Sequence, residues 1–247
     1  MHFELKYGDG SLPLDFDPSR ILSVVLPKTR RTLGNARNAV ERALAQPEGT
    51  EPLLEMLIAR KPKKLVIIVN DITRPTPYSI LMPPLVEVIE KAGIPDENVT
   101  ILIATGIHDL HTHEQNLLVY GEEICRRFKI VSHDASDSSM LSYKGKLPSG
   151  YDFWLNRIVD DADFLITIGV VMPHYFAGFS GGRKSILPGV VGKQTVERNH
   201  ARMVEIMDNL PPIRENPISL EMIHAARIAG VDFILNVVVD ECESIVE

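Results

Sequence analysis

The chain has 247 residues, of which 45% are hydrophobic, and a formal net charge of −7. A folded chain of this length buries roughly three quarters of its unfolded surface, which predicts one large α/β domain, alone or with a small appendage. There is no basic cluster, no signal peptide and no apolar run long enough to span a bilayer, so we expect a cytoplasmic protein without a nucleic-acid or membrane partner.

Apolar, β-rich runs alternate along the chain with segments of helical period. The runs predicted as strands are FELKY, ILSVVL, KLVIIVN, NVTILIA, KIVSH, ADFLITIGVV and DFILNVVVD. The segments predicted as helices are NARNAVERALAQ, PLLEMLIARK, SILMPPLVEVIEKAG, THEQNLLVYGEEICRRF, KQTVERNHARMVEIM and SLEMIHAARIAG. This alternation predicts a Rossmann-like α/β fold, a mostly parallel sheet with helices on both faces. The polar stretch SYKGKLPSGYDFW predicts a small antiparallel ribbon beside it.

Local signals mark some of the element boundaries. Pro83 and Pro84 are expected to kink or split their helix, and Gly93 is placed to end it. Thr112 and Gln115 fit a capping box at the start of the next helix. The two cysteines, at positions 125 and 242, lack the spacing of a zinc site or a disulfide framework, and we expect them to be inert.

Three predicted strands deliver polar residues to the carboxyl edge of the sheet, where open α/β sheets bind their ligands. KLVIIVN leads into DITRPTP, NVTILIA leads into TGIHDLH, and FLITIGVV leads into MPHYFAGFSGGRKS. The polar residues that converge there are Asp71, Thr73, Arg74, His108, His174 and Lys184. This convergence predicts a functional site.

The glycine-rich segment after the third of these strands is similar to a phosphate-binding loop but departs from the consensus sequence of such loops. Arg183 stands where a Walker loop needs glycine before Lys184, which argues against an ordinary nucleoside triphosphatase. Gly178, Gly181 and Gly182 can still present backbone N–H groups to a phosphate, or can simply form a tight turn. A cationic neighbour and partial burial lower the pKa of a lysine, so Lys184 is either a nucleophile or a phosphate-pairing residue.

The histidines of this edge allow several interpretations. His108 and His174 each follow a strand, where they could exchange protons near neutral pH or serve as hydrogen-bonded loop residues. His111 and His113 complete the run HDLHTH, whose spacing matches no standard metal site, and we expect them to be solvated. His200 alone reads as an exposed helical residue.

Arg74, placed before a proline, could clamp a carboxylate. Its alternative role is to pair with Asp71 and hold the loop.

Four segments together resemble the N-terminal domain of the nickel-dependent lactate racemase family and its 2-hydroxyacid racemase and epimerase relatives. They are NDITRPTP, ATGIH, MPHYFAGFSGGRKSILPGVVG and RNHARM, in the family's order and at its separations, and the long loop is the most specific. The resemblance implies that residues 1–247 are the family's N-terminal, cofactor-binding catalytic domain. We expect the family's C-terminal domain to be absent from this chain.

The resemblance also implies a tethered nickel-pincer nucleotide, pyridinium-3,5-bisthiocarboxylic acid mononucleotide with bound nickel. Lys184 matches the lysine that bonds it covalently, His200 matches the protein ligand of the metal, and His108 and His174 match two acid/base residues. Arg74 would stabilise an alkoxide or hold a carboxylate. The residues that match the lining of the cofactor are Asp71, Ile72, Thr73, Arg74, Gly178, Ser180, Gly181 and Gly182.

The activity implied is that of an isomerase, which interconverts enantiomers of lactate or a related 2-hydroxyacid by hydride transfer to the tethered cofactor. Its partners would be the small 2-hydroxyacid and the cofactor-synthesis proteins that load the pincer. The segment DLHTHEQ lacks the basic residue expected beside His108, which leaves the choice of hydroxyacid open. Two other classes stay open, a non-catalytic nucleotide- or phosphate-binding α/β domain and an enzyme that forms a lysine Schiff base.

Overall fold

An antiparallel hairpin is the main element of a small N-terminal unit, Met1–Arg31. In the computed structural model, which describes residues 1–8, 10–26, 31–240 and 244–246, β1 (His2–Tyr7) pairs with β2 (Gly10–Asp15). The predicted strand FELKY is confirmed. The predicted strand ILSVVL is wrong, because residues 21–26 form no strand and Leu22 is fully exposed. A run rich in β-branched residues becomes a strand only where a neighbouring strand or a core accepts it.

The second unit, Thr32–Glu247, contains the α/β fold. Its strands are β3 (Leu65–Asn70), β4 (Val99–Ala104), β5 (Lys129–Ser132), β6 (Leu141–Lys146), β7 (Asp152–Asn156), β8 (Phe164–Val170), β9 (Pro173–His174), β10 (Gly178–Phe179) and β11 (Phe233–Val237). Its helices are α1 (Ala36–Ala45), α2 (Leu53–Arg60), α3 (Tyr78–Lys91), α4 (His113–Tyr120), α5 (Glu122–Arg127), α6 (Arg157–Asp160), α7 (Lys193–Ala201) and α8 (Pro217–Ala229).

A parallel sheet with the order β11-β8-β3-β4-β5 lies at the centre of this unit. Alternate residues of β3 point to opposite faces, as the period of a strand requires. Leu65 and Ile67 join a core with α1, α2, α3, α4 and α5. Val66 and Ile68 join a second core with β7, α7, α8 and the chain that follows β8. Both faces are therefore covered, and the predicted fold class is confirmed.

The sheet has a topological switch beside β3. The chain proceeds from β3 outwards through β4 to β5 and then returns to place β8 on the other side of β3. After β3 it crosses to the first core through α3, whereas after β8 it crosses to the second core. Such a reversal opens a crevice at the carboxyl ends of the strands, which is where the candidate residues were expected.

Several helix boundaries differ from the sequence prediction. α3 runs through Pro83 and Pro84 without being split, because its apolar face is buried on the sheet and stabilises it; it ends before Gly93, which has a φ of 72°. The helix predicted over residues 112–128 begins with the expected capping box but is divided at Gly121 into α4 and α5, because Gly121 has a φ of 84°. α7 ends earlier than predicted and continues as a 3-10 turn, Arg202–Glu205.

Other predictions concern peripheral features. The polar stretch forms the expected antiparallel ribbon, β6 with β7. Cys125 is free, and burial raises the pKa of its thiol, as expected for an unreactive cysteine; Cys242 lies outside the described residues. Within the described part of the chain, no helix is long and apolar enough to span a bilayer.

Candidate functional site

A cavity of about 320 Å³ opens at the switch point, between the chain segments that follow β3, β4 and β8. Its wall includes side chains and backbone from all three segments and from α7. The candidate residues on this wall are Asp71, Arg74, His108, His174, Ser180, Gly181, Lys184 and His200. The structure therefore brings together the three histidines, the lysine and the arginine that the sequence predicts to act together.

Phe176 is the contact that three of these side chains share. Its ring is buried, 1% exposed, and meets the rings of His174 and His200 edge-on at centroid distances of 4.5 Å and 4.9 Å. The Nζ atom of Lys184 lies 5.6 Å from the centroid of the same ring. Asn216 fixes the segment from behind by donating from Nδ2 to the Phe176 carbonyl at 2.6 Å. Phe176 was not among the predicted site residues, because an aromatic residue in a glycine-rich loop carries no signal of its own.

Lys184 is placed where its amine loses its proton easily. Burial, and then the nearby cations of Arg74 and Arg183, together lower its pKa from 10.5 to about 7. An unprotonated amine is a nucleophile, so the lowered pKa of Lys184 is compatible with covalent chemistry at this residue.

His174 and His200 are held neutral by their surroundings. Burial and then the charge of Lys184 lower the pKa of each imidazole to about 4. His174 stacks on Tyr175, and its Nδ1 accepts a hydrogen bond from the Ala177 N–H at 3.3 Å. The Nδ1 of His200 is buried without a hydrogen bond of good geometry, and the Val196 carbonyl only slightly opposes its pKa shift. His200 thus keeps a ring nitrogen for a further contact.

His108 has a carboxylate partner. Its Nδ1 lies 2.6 Å from Oδ2 of Asp71, and the Asp71 side chain is 4% exposed while that of His108 is 48% exposed. The other carboxylate oxygen, Oδ1, accepts from the backbone N–H of Thr73 at 3.1 Å and from its hydroxyl at 2.6 Å. Both carboxylate oxygens of Asp71 therefore have protein partners, and one of these partners is the imidazole that lines the cavity.

The two arginines of the site have different surroundings. Arg183 donates to the carbonyls of Ala177 and Phe179 and to the hydroxyl of Ser219, so it holds the loop against α8. The guanidinium of Arg74 is exposed, lines the cavity and contacts no acidic side chain of the described residues. It does not pair with Asp71, so the structure leaves Arg74 available for an anionic ligand.

Four of the candidate residues do not line this cavity. The main chain of Ile72 donates to His111, and the side chain of Thr73 turns to Asp71. Gly178 pairs with the strand that carries His174, at a φ of 82° and close to Ile213. The N–H of Gly182 is directed to Oδ1 of Asn236 at 3.4 Å. Of the predicted cofactor-binding loop, the residues that face the cavity are Ser180, Gly181 and Lys184.

His111 has a role that the sequence did not indicate. Its Nε2 accepts the Ile72 N–H at 2.9 Å and its Nδ1 faces Oδ1 of Asn116 at 3.1 Å, so the expectation that it is solvated was wrong. The ring stacks on Tyr120, whose hydroxyl donates to the carbonyl of Asn70. His111 thus holds the loop that follows β3 in place. Among the described residues, no group of three histidine, cysteine, aspartate or glutamate side chains is arranged to bind a metal ion.

The side chains of Lys184 and His200 are compatible with a bound group that itself supplies most of the ligands of a metal ion. Lys184 supplies a neutral amine for a covalent bond, and His200 supplies one imidazole nitrogen, a ligand type that suits nickel. Since the described residues offer no larger cluster of metal-binding side chains here, the remaining ligands would come from the bound group. A buried, unpaired hydroxyl, that of Ser185, also lines the cavity.

Fold and site together define a parallel α/β domain whose crevice brings together a lysine of lowered pKa and histidines from three separate elements. The model of the lactate racemase N-terminal domain family matches residues 7–209. The chain belongs to that family.

The chain is also similar to two curated relatives and to two solved structures. It is 38% identical to the lactate racemase of Thermoanaerobacterium thermosaccharolyticum over 251 residues, which cover 99% of this chain and 58% of that protein. It is 41% identical to the lactate racemase of Lactiplantibacillus plantarum over 215 residues, which cover 85% of this chain and 49% of that protein. The chain thus spans about half the length of the curated relatives it matches.

The structure of the lactate racemase apoprotein from T. thermosaccharolyticum aligns with all of this chain and 58% of its own, with a TM-score of 0.84 and 38% identity. A crystal structure of a protein from Thermotoga maritima aligns with 85% of this chain and 52% of its own, with a TM-score of 0.68 and 21% identity. The second similarity shows the fold alone.

Proposed function

We propose that this chain is the cofactor-binding catalytic domain of a lactate racemase or of a related 2-hydroxyacid racemase or epimerase. The observation that carries the proposal is the cluster around Phe176, where Lys184, His174 and His200 meet in a cavity that His108 also lines. The names of the relatives support lactate, and the substrate could equally be another small 2-hydroxyacid.

The chemistry of the substrate explains why such a site is needed. The Cα proton of a 2-hydroxyacid is hard to remove, because the neighbouring carboxylate disfavours a carbanion. The bound nickel-pincer nucleotide would supply an acceptor for the Cα hydrogen together with its electron pair. A base of the protein would take the hydroxyl proton, which would leave a planar 2-keto acid as an intermediate. Return of the hydrogen with its electron pair to either face would then give either enantiomer.

We assign this proton chemistry to His108 and His174. A base would accept the hydroxyl proton of one enantiomer, and an acid would protonate the carbonyl oxygen as it becomes the hydroxyl of the other, so two imidazoles serve the two directions. The low pKa of His174 favours its unprotonated form at neutral pH. Arg74, whose guanidinium has no acidic partner among the described residues, would hold the substrate carboxylate or stabilise a developing alkoxide.

The remaining assignments concern how the cofactor is held. Lys184 would form the covalent bond to the pincer, which requires the neutral amine that burial and two arginines favour. His200 would be the protein ligand of nickel. Ser180 and Gly181 would face the nucleotide at the cavity wall. Loading would depend on cofactor-synthesis proteins, the partners that the family resemblance implies.

Enantiomer interconversion tests the proposal. The protein that contains this chain should be produced together with cofactor-synthesis proteins and nickel, then given enantiopure D- or L-lactate and a panel of other 2-hydroxyacids, with products separated by chiral chromatography. We expect interconversion from either enantiomer, lost in His108→Gln and kept in His113→Gln, a matched exposed histidine at the start of α4. Protein that acquires no nickel and interconverts no 2-hydroxyacid would instead support a non-catalytic nucleotide-binding domain.

A further inference from the structure

Asp71 and His108 form a pair that the cofactor assignment of Asp71 does not explain. Asp71 is buried, and protein donors engage both of its carboxylate oxygens, Oδ1 through Thr73 and Oδ2 through the His108 ring at 2.6 Å. A carboxylate arranged in this way has little capacity left for a ligand. It is also an unfavourable neighbour for the phosphate of a nucleotide.

The chemistry of the pair fixes the position of a proton. An ionised carboxylate only accepts hydrogen bonds, so the Nδ1 of His108 must carry the hydrogen between the two groups. In the neutral imidazole the lone pair then lies on Nε2. With Asp71 on Nδ1, Nε2 is the ring nitrogen left to exchange a proton in the cavity.

The loop that carries Asp71 is fastened on several sides. The Ile72 N–H donates to His111, and the Arg74 N–H donates to the Asp71 carbonyl at 3.2 Å. Just before it, Asn70 receives the hydroxyl of Tyr120 on its carbonyl oxygen. Because this loop is held from the segment after β4 and from α4, the carboxylate stays in place while the half-exposed imidazole could otherwise turn.

His174 provides the comparison within the same cavity. Its Nδ1 accepts from the backbone N–H of Ala177, so in the neutral ring the hydrogen lies on Nε2. The two histidines therefore favour opposite tautomers, and only His108 has a carboxylate that keeps Nε2 unprotonated.

We propose that Asp71 is the positioning residue of His108, and that it makes His108 the base that takes the hydroxyl proton of one enantiomer. The second half of the proposal rests on the proposed racemase function, whereas the first half concerns the protein alone. Asp71 acts through the imidazole and does not need to touch substrate or cofactor.

The tautomer of His108 tests the first half without any cofactor. Protein labelled with ¹⁵N-histidine should be studied by long-range ¹H–¹⁵N NMR above the ordinary histidine pKa of about 6.5, with the His108 signals assigned by their loss in His108→Gln. We expect the Nδ1–H tautomer in the wild type. Asp71→Asn should shift the ring to the Nε2–H tautomer, because the amide can donate to Nδ1. Asp109→Asn, which removes an exposed carboxylate next to His108 in the chain, should leave it unchanged.

The wild-type spectrum alone can overturn the proposal, even if Asp71→Asn does not fold. An Nε2–H tautomer in the wild type contradicts it, and so does a folded Asp71→Asn protein that keeps the Nδ1–H form.

Kinetics of the loaded enzyme test the second half. We expect Asp71→Asn to lower kcat at least about 100-fold, the smaller limit for loss of a general base, with KM and bound nickel unchanged, while Asp109→Asn retains wild-type kcat. Loss of nickel in Asp71→Asn would overturn the assignment in favour of a cofactor contact. A wild-type protein that shows the expected tautomer but no racemisation would refute the proposed function and leave the Asp71–His108 assignment standing.

Discussion

The reactivity of Lys184 is the property of the site that can be worked out most fully. Its pKa of about 7, against an ordinary value of 10.5, leaves about three quarters of the amine neutral at pH ~7.5, compared with about one part in a thousand for an ordinary lysine. Removing one neighbouring cation with Arg74→Gln should raise the pKa by about one unit. The neutral fraction at the same pH would then fall about threefold.

Competitive labelling measures this directly. Trace acetic anhydride is applied over a range of pH, and the acetylation of individual lysines is quantified by peptide mass spectrometry. Lys146 is the internal control, because it is exposed and its ion pair with Asp152 raises its pKa. The labelling rate of Lys184 should level off just above neutral pH while that of Lys146 keeps rising, and Arg74→Gln should move the Lys184 inflection upwards.

Two results would refute the reasoning. If Lys184 and Lys146 showed the same pH dependence, burial would not be depressing the pKa of Lys184. If Arg74→Gln left the inflection where it was, the exposed guanidinium would not be part of the electrostatic environment of the amine. The first result would also remove the physical basis for a covalent anchor at this position.

Three further predictions concern stability, measured by urea unfolding. The pKa of His174 is about 4 in the folded protein against 6.5 ordinarily, so between these pH values the unfolded chain binds a proton that the folded chain excludes. The free energy of unfolding should therefore fall as the pH drops from 6.5 to about 4, by up to about 1.4 kcal/mol per pH unit from this residue. His174→Gln should flatten this dependence on pH. An unaltered slope in that variant would contradict the shift. Ser185→Ala should raise the free energy of unfolding by about 1 kcal/mol, because the buried Ser185 hydroxyl has no hydrogen-bond partner. Ser219→Ala should instead lower the free energy of unfolding by about 1 kcal/mol, because it removes the hydrogen bond that Arg183 donates to the Ser219 hydroxyl. Equal effects of the two serine changes would show that the Ser185 hydroxyl is satisfied in solution. Gly189→Ala should lower the free energy of unfolding by about 2 kcal/mol, because its Cβ would overlap the Ser185 carbonyl oxygen and lie 2.8 Å from the Cβ of Ala104; wild-type stability would mean that the loop can shift.

The central strands could be predicted because the pattern of apolar residues in their sequences indicates that both of their faces are buried. KLVIIVN and FLITIGVV are short, continuous apolar runs rich in β-branched residues, which are typical of a strand covered on both faces. β2 escaped prediction because Gly10 and Pro13 weaken the signal of a strand, although the hairpin with β1 forms around them. The prediction for ILSVVL was wrong in the opposite sense, because residues with a high strand propensity form a strand only beside another strand or a core.

The site was predictable to the level of the sheet edge and no further. The predicted parallel sheet and the polar residues after three of its strands placed His108, His174 and Lys184 in one crevice. The carboxylate partner of His108 and the neutral state of His200 depend on side-chain directions and burial, which spacing along the chain does not encode. The contact of three functional side chains with Phe176 depends on the path of the loop after β8, for which the sequence offers only glycines.

The covalent state of Lys184 tests the central claim most directly. The protein that contains this chain should be purified after production with cofactor-synthesis proteins and nickel, digested, and mapped by tandem mass spectrometry. We predict that the peptide containing Lys184 carries the mass of the pincer nucleotide on that lysine, and that Lys184→Ala protein retains neither the added mass nor nickel. An unmodified Lys184 peptide in protein that nevertheless holds nickel and the nucleotide would contradict the account.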